Sequence, residues 1–155
     1  MTVHAPHTAP QDLPIGMGPQ SFHIRRLGGR PLRFRGVELA MAMGFSPEHA
    51  FWYEINAYRK LQGAYAVAVR LFHSATDEQD VVQAWPCDGL GDVLETLERY
   101  DATQDVTVSV DPTDPDLSAA ELAAHALDLR ARTEIHKRAY AAVLGDLLHQ
   151  LDDAG

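Results

Sequence analysis

A single cysteine, Cys87, stands in a chain of 155 residues. No internal disulfide can form, and a reducing compartment, the cytoplasm, is the expected setting. No apolar run reaches the roughly 18 to 20 residues that a membrane-crossing helix needs. The opening stretch, MTVHAPHTAPQDLPIGMGPQ, lacks the basic start and continuous apolar core of a secretory signal. A Gly-x-Ser-x-Gly nucleophile elbow is absent. Neither Gly16-Met17-Gly18 nor Gly28-Gly29 leads into the lysine of a phosphate-binding loop. With no catalytic signature, the chain is expected not to be an enzyme.

Basic residues are also scarce: 13 Lys and Arg against 22 Asp and Glu give a net charge of −9. That balance opposes broad attraction to nucleic acid or to anionic lipid. One segment departs from it. Residues 23–36 hold Arg25, Arg26, Arg30, Arg33 and Arg35 and no acid, leaving eight basic against 22 acidic residues elsewhere, a balance of −14. A basic patch on an acidic body suits an acidic partner or the acidic surface of a second copy, so these arginines are the expected partner-binding residues.

What is present is mostly β patterning. Residues 1–20, with Pro6, Pro10, Pro14 and Pro19, form an extended arm expected to dock on a partner or neighbouring subunit. Strands are expected over Phe22 to Leu27 and Leu32 to Phe45, joined through Gly28-Gly29-Arg30-Pro31, with a bulge at Gly36. Phe51 to Phe72 is a hairpin turning at Leu61-Gln62-Gly63, and a last strand covers Val81 to Trp85 within a sheet over 21–87.

The hairpin's register follows from residue types. Lys60 opposite Ala64 sets Trp52 against Phe72, Tyr53 against Leu71, Glu54 against Arg70 and Ile55 against Val69, each a favourable pair. A slip of one residue inverts both faces. One face is then oily, with Leu39, Met41, Met43, Tyr53, Ile55, Tyr65, Val67, Val69 and Leu71. The other carries Ala40, Ala42, Glu54, Asn56, Ala66, Ala68 and Arg70, edged by Trp52, Tyr58 and Phe72.

Helical spacing takes over after Cys87. Leu90, Val93, Leu94, Leu97 and Tyr100 give a helix over 89–100 whose stripe suits the oily face. Alternating Val106, Val108 and Val110 predict a short strand over 105–110. Ser118 with Glu121 three residues later is a capping box opening a long helix over 118–152, with Leu117 and Leu122 as its staple. Its seam includes Leu129, His136, Tyr140, Leu144, Leu147 and Leu151. At about 1.5 Å per residue this helix is roughly 50 Å long, more than five strands at about 4.8 Å span. Either it breaks near Gly145, or part of its seam extends past the sheet toward another chain and forms an oligomer.

The remaining candidates for chemistry have plainer explanations. His4 and His7 lack a third ligand, and His125 and His136 lie three helical turns apart, too far to chelate together; no metal and no cofactor is expected. His125 and His136 border the seam and are expected to make association sensitive to pH. Asp111, Asp114 and Asp116 lack the spacing of a calcium loop. Asp88 beside Cys87 raises rather than lowers the thiol pKa. Glu54 opposite Arg70 is an ion pair before it is an acid or base, although a small-ligand or enzymatic site around Glu54 is a further alternative.

Single-stranded nucleic acid is the chief alternative partner. A curved sheet with Trp52, Tyr58 and Phe72, flanked by Arg33, Arg35, Lys60 and Arg70, has the makings of a stacking platform. The order of strands then helix resembles, in topology, PUR-type and whirly-type single-strand binders. The segments Trp52 to Arg59, Gly63 to Val67 and Glu98 to Asp101 resemble small bacterial domains of the meander-plus-helix kind, which implies a fold and no activity.

The sequence therefore predicts one α+β domain over 21–155: an antiparallel meander of about five strands, a short helix and a long C-terminal amphipathic helix. Its expected function is non-catalytic, as an interaction or accessory protein that associates with itself or with a macromolecular partner away from membranes.

Overall fold

Five strands follow one another in sequence and in space. The computed structural model describes residues 18–108 and 110–154. In it β1 (Gln20–Arg26), β2 (Gly29–Met43), β3 (Phe51–Lys60), β4 (Tyr65–His73) and β5 (Val81–Cys87) form one antiparallel sheet in the order β1-β2-β3-β4-β5. Two helices follow, α1 (Leu90–Arg99) and α2 (Ala119–Ala154), with a 3-10 turn at Ala102–Asp105 between them. This is the α+β meander that the alternation predicts. Most of the expected arm, residues 1–17, lies outside the described residues, while Gln20 already belongs to β1.

The β3–β4 register is the one the residue types dictate. Trp52 faces Phe72, Tyr53 faces Leu71, Glu54 faces Arg70 and Ile55 faces Val69. The Lys60 N–H donates to the Ala64 carbonyl at 2.7 Å, and Gly63 supplies the positive φ of 94° that closes the turn. The first hairpin is tighter than expected, with Arg26 paired to Gly29 around Leu27-Gly28.

On β2 the bulge lies elsewhere and changes the faces. Gly36 is in register with both neighbours, and the shift falls between Glu38 and Ala40. Gly36 is needed for another reason: a Cβ there would collide with the Arg59 carbonyl. The extra residue at Leu39 inverts everything after it. Ala40 and Ala42 turn to the helix side and are buried, whereas Met41 and Met43 take the opposite face and are exposed. The expected faces of these four residues are thus exchanged. Small residues are what α2 requires there, since even at Gly44 a Cβ would lie only 3.0 Å from Val143 Cγ2.

The sheet also curls. The Leu27 N–H donates to the Val82 carbonyl at 2.9 Å, bringing the end of β1 onto β5. The concave interior so formed buries Ile24, Tyr58, Ala66, Ala68 and Ala84, with Phe22, Leu32, Phe34 and Val82 packed around them. The alanine-rich face is therefore covered at this end by the protein's own first hairpin. Its other end stays open, with Met41, Met43 and Phe45 exposed.

The convex face carries the larger core. Tyr53, Ile55, Val67, Val69 and Leu71 meet Val93 and Leu97 of α1 and Tyr140, Val143 and Leu147 of α2. Leu97 and Leu147 are fully buried, so truncating either to alanine costs about 2 to 5 kcal/mol. The Tyr140 hydroxyl donates to the Leu97 carbonyl and ties the two helices together. Leu90 and Leu94, expected in the packed stripe of α1, remain exposed.

The segment after the 3-10 turn corrects one expectation. No strand forms over the described part of 105–110, and Val108 is exposed. Alternation alone does not make a strand without an edge to pair with. The β5 edge is approached by β1, and the Thr107 carbonyl instead accepts from Arg132 Nη2 at 2.8 Å.

α2 opens on the predicted capping box. The Glu121 N–H donates to Ser118 Oγ at 3.1 Å, and the Ser118 N–H donates to Glu121 Oε2 at 3.0 Å. The helix runs unbroken through Gly145, so its length is not relieved by a kink. From His136 onward its inner side is buried in the core. The preceding turns are mostly exposed, including Leu127 and Ile135.

Candidate functional site

The first hairpin puts a line of cations on the convex side, beyond the helices. Alternation sends Phe22, Ile24, Leu32 and Phe34 inward, and cross-strand pairing sets Ser21 opposite Arg35 and His23 opposite Arg33 on the outer side. Arg25 continues this exposed row. Arg25, Arg30, Arg33 and Arg35 are exposed and have no ion-pair partner among the described residues. Arg26 stands apart, half-buried, with Nε donating to the Arg30 carbonyl at 2.7 Å. Arg59 on β3 pairs with Val37 and extends the exposed row. Only the register reveals that last neighbour, because Arg59 is far from the hairpin in sequence.

The concave face is internally occupied. Tyr58 is buried between Phe22 and Phe34, with ring centroids 4.7 and 5.5 Å away. Burial pushes its phenol up, Glu38 and Glu54 add to this, and Arg70 opposes them. Trp52 stacks on Phe72 at 5.7 Å and meets the edge of Phe45 at 4.8 Å. Arg70 Nη1 pairs with Glu54 Oε2 at 3.2 Å and also donates to Asn56 Oδ1. Asn56 Nδ2 in turn donates to Glu38 Oε1 at 3.1 Å. The side chains of Arg70 and Glu54 are only 20% and 19% exposed. The predicted ion pair is thus one link in a chain of bonds that leaves Arg70 engaged.

A second polar site forms where the 3-10 turn meets α2. Tyr53 and Tyr100 both donate to Asp105 Oδ2 at 2.7 Å. Burial, reinforced by that carboxylate, holds both phenols far above their usual pKa, and burial does the same for Tyr140. His136 lies flat on Phe51, with ring centroids 3.9 Å apart, and its Nδ1 donates to the Arg132 carbonyl at 3.0 Å. Burial lowers the His136 pKa; the Arg132 carbonyl and Asp105 oppose this, while the Arg132 and His73 charges add to it. His136, His73, Glu78, Asp105 and Arg132 line a common cavity of about 230 Å³. These groups come from β4, the loop after it, the 3-10 turn and α2, and their sequence spacing gives no signal of convergence.

The expected oligomer seam is largely engaged within the chain. His136, Tyr140 and Leu147 are buried, and Leu129, Leu144 and Leu151 are half-buried. Cys87 is buried too, with Sγ 3.7 Å from Thr96 Oγ1. Burial raises its pKa, and Asp92 and Asp88 add to that. His4 and His7 lie outside the described residues. No helix is long and apolar enough to cross a membrane among the described residues. Comparison of the chain with protein-family models, with curated proteins and with solved structures finds no match.

Proposed function

We propose that the chain is a non-catalytic interaction protein that recognises an acidic protein surface through its first hairpin. The observation that carries this reading is the exposed row of Arg25, Arg33 and Arg35, free of ion pairs among the described residues. Folded proteins usually neutralise such a row, because unpaired like charges on adjacent strands repel. An incoming carboxylate surface relieves that repulsion and forms charge-assisted, bidentate hydrogen bonds with the guanidinium groups. The remainder of this chain, at −14, is one such surface, so a second copy is a natural partner.

An acidic protein is favoured over single-stranded nucleic acid on two grounds. The aromatic groups that would stack on bases are packed on one another or buried, and Arg70 is engaged by Glu54 and Asn56. The net charge of −9 also repels a polyanion as large as a nucleic acid. Native mass measurement of the purified protein tests the reading. The expected result is an assembly of more than one chain that dissociates as salt rises and is lost in the double variant Arg33→Glu, Arg35→Glu. A single chain at every concentration, with no partner retained, overturns it.

A further inference from the structure

The cavity between Phe51, Asp105 and His136 is not used by the recognition just described. Its polar atoms have a common character. His136 Nδ1 carries a proton because it faces the Arg132 carbonyl, an acceptor only, at 3.0 Å. Neutral His136 therefore presents Nε2 as a bare acceptor. His73 Nε2 lies 3.2 Å from Glu78 Oε2, and the carboxylate keeps the ring proton on that side. The other nitrogen, His73 Nδ1, is buried without a hydrogen-bond partner and is closed off from the cavity. Asp105 uses Oδ2 for both tyrosines, and Oδ1 has no partner among the described residues. The one cation, Arg132, is engaged: Nη2 donates to the Thr107 carbonyl, and Nη1 lies 3.7 Å from Asp128.

The cavity thus offers the acceptors His136 Nε2 and Asp105 Oδ1, and its two carboxylates, Asp105 and Glu78, outweigh the single guanidinium of Arg132. Thr107 also lines the cavity, and the rest of its wall is apolar, formed by Ala50, Phe51 and Ile135. A ligand suited to it has several N–H donors, a positive charge and a short hydrocarbon body. No three of its His, Asp and Glu groups converge closely enough to hold a metal ion among the described residues. We propose that this cavity binds a primary ammonium group on a short alkyl chain, carried by a free amine or by a lysine side chain. The ammonium donates to His136 Nε2 and Asp105 Oδ1, and the alkyl chain lies along Phe51 and Ile135.

The test follows the imidazole resonances of the full-length protein by NMR at neutral pH while propylammonium chloride is added. Saturable shifts of the His73 and His136 signals are expected at millimolar concentration. Tetramethylammonium, equally charged but without N–H donors, should bind at least about tenfold more weakly. Asp105→Asn should weaken propylammonium by about tenfold or more, and Glu78→Gln, on the exposed rim, supplies the same test should Asp105→Asn fail to fold. Nα-acetyl-lysine amide distinguishes the sources: tighter binding than propylammonium assigns the site to a lysine side chain, weaker binding to a free amine. The proposal is overturned if propylammonium gives no saturable shift, if tetramethylammonium binds equally well, or if a folded variant binds unchanged.

Discussion

Gln150, near the end of α2, completes the edge of β2 at Met41. Its Nε2 donates to the Met41 carbonyl at 2.9 Å, and its Oε1 accepts from the Met41 N–H at 3.2 Å. A side-chain amide here takes the place of a neighbouring strand. β1 begins at Gln20, opposite Gly36, so among the described residues no strand pairs with the second half of β2 on that side. Exposed strand edges promote association through the backbone, and the amide blunts this one. Gln150→Ala should cost about 1 kcal/mol in urea unfolding and raise the aggregation rate during refolding. Gln150→Glu, which cannot donate, should recover little of either.

The close passage of β2 and β3 at Gly36 should be equally unforgiving. A methyl group there collides with the Arg59 carbonyl, which is held in the ladder and cannot retreat alone. Gly36→Ala should therefore destabilise by about 3 kcal/mol, read from the urea midpoint. Gly145→Ala on the exposed side of α2 meets open space and should stabilise by roughly 0.5 to 1 kcal/mol.

Asp105 and its two phenols act as a unit. Tyr53→Phe or Tyr100→Phe alone leaves Asp105 Oδ2 with one donor and should cost about 1 to 2 kcal/mol. The double variant removes both donors from a partly enclosed carboxylate, and its cost should exceed the sum of the two. In an alkaline absorbance titration Tyr53, Tyr100 and Tyr140 should ionise only as the protein unfolds, since burial holds each far above the ordinary phenol value.

Stability should fall on mild acidification. Burial depresses the His136 pKa in the folded state, whereas the unfolded imidazole titrates near its usual value of about 6.5. Between those two values the unfolded chain holds more protons, so stability drops as pH falls from about 7 through that window and levels off below the folded value. The urea midpoint followed across this range should show the decline. His136→Phe, which keeps the stack on Phe51, should flatten it.

Much of this fold is legible in the chain because local pairs carry the information. Trp52 with Phe72 and Glu54 with Arg70 fix a register that no slipped alternative satisfies, and Ser118 with Glu121 marks the start of α2. The faces of Met41 and Met43 are not legible, because the bulge at Leu39 has no glycine to announce it, whereas Gly36 has another purpose. Closure of β1 onto β5 combines a backbone bond from Leu27 to Val82 with a shared apolar cluster holding Ile24 and Ala84, and no local pattern announces either. Val106, Val108 and Val110 have the period of a strand without an available edge. The site at Asp105 is hidden for the same reason as the closure: its members are distant in sequence and come together only in the folded chain.

The arginine row, by contrast, is visible in both sequence and structure, and the recognition assigned to it is open to direct measurement. The binding of labelled poly-glutamate should be followed by fluorescence anisotropy at low and at high salt, with an oligo-dT strand of equal length as the comparison. Recognition by this row requires that poly-glutamate bind more tightly than the oligonucleotide, that salt weaken it, and that Arg33→Glu with Arg35→Glu reduce its affinity by about tenfold or more without changing the unfolding midpoint. Binding of poly-glutamate unaltered by the two reversals, or an oligonucleotide that binds more tightly, would contradict it.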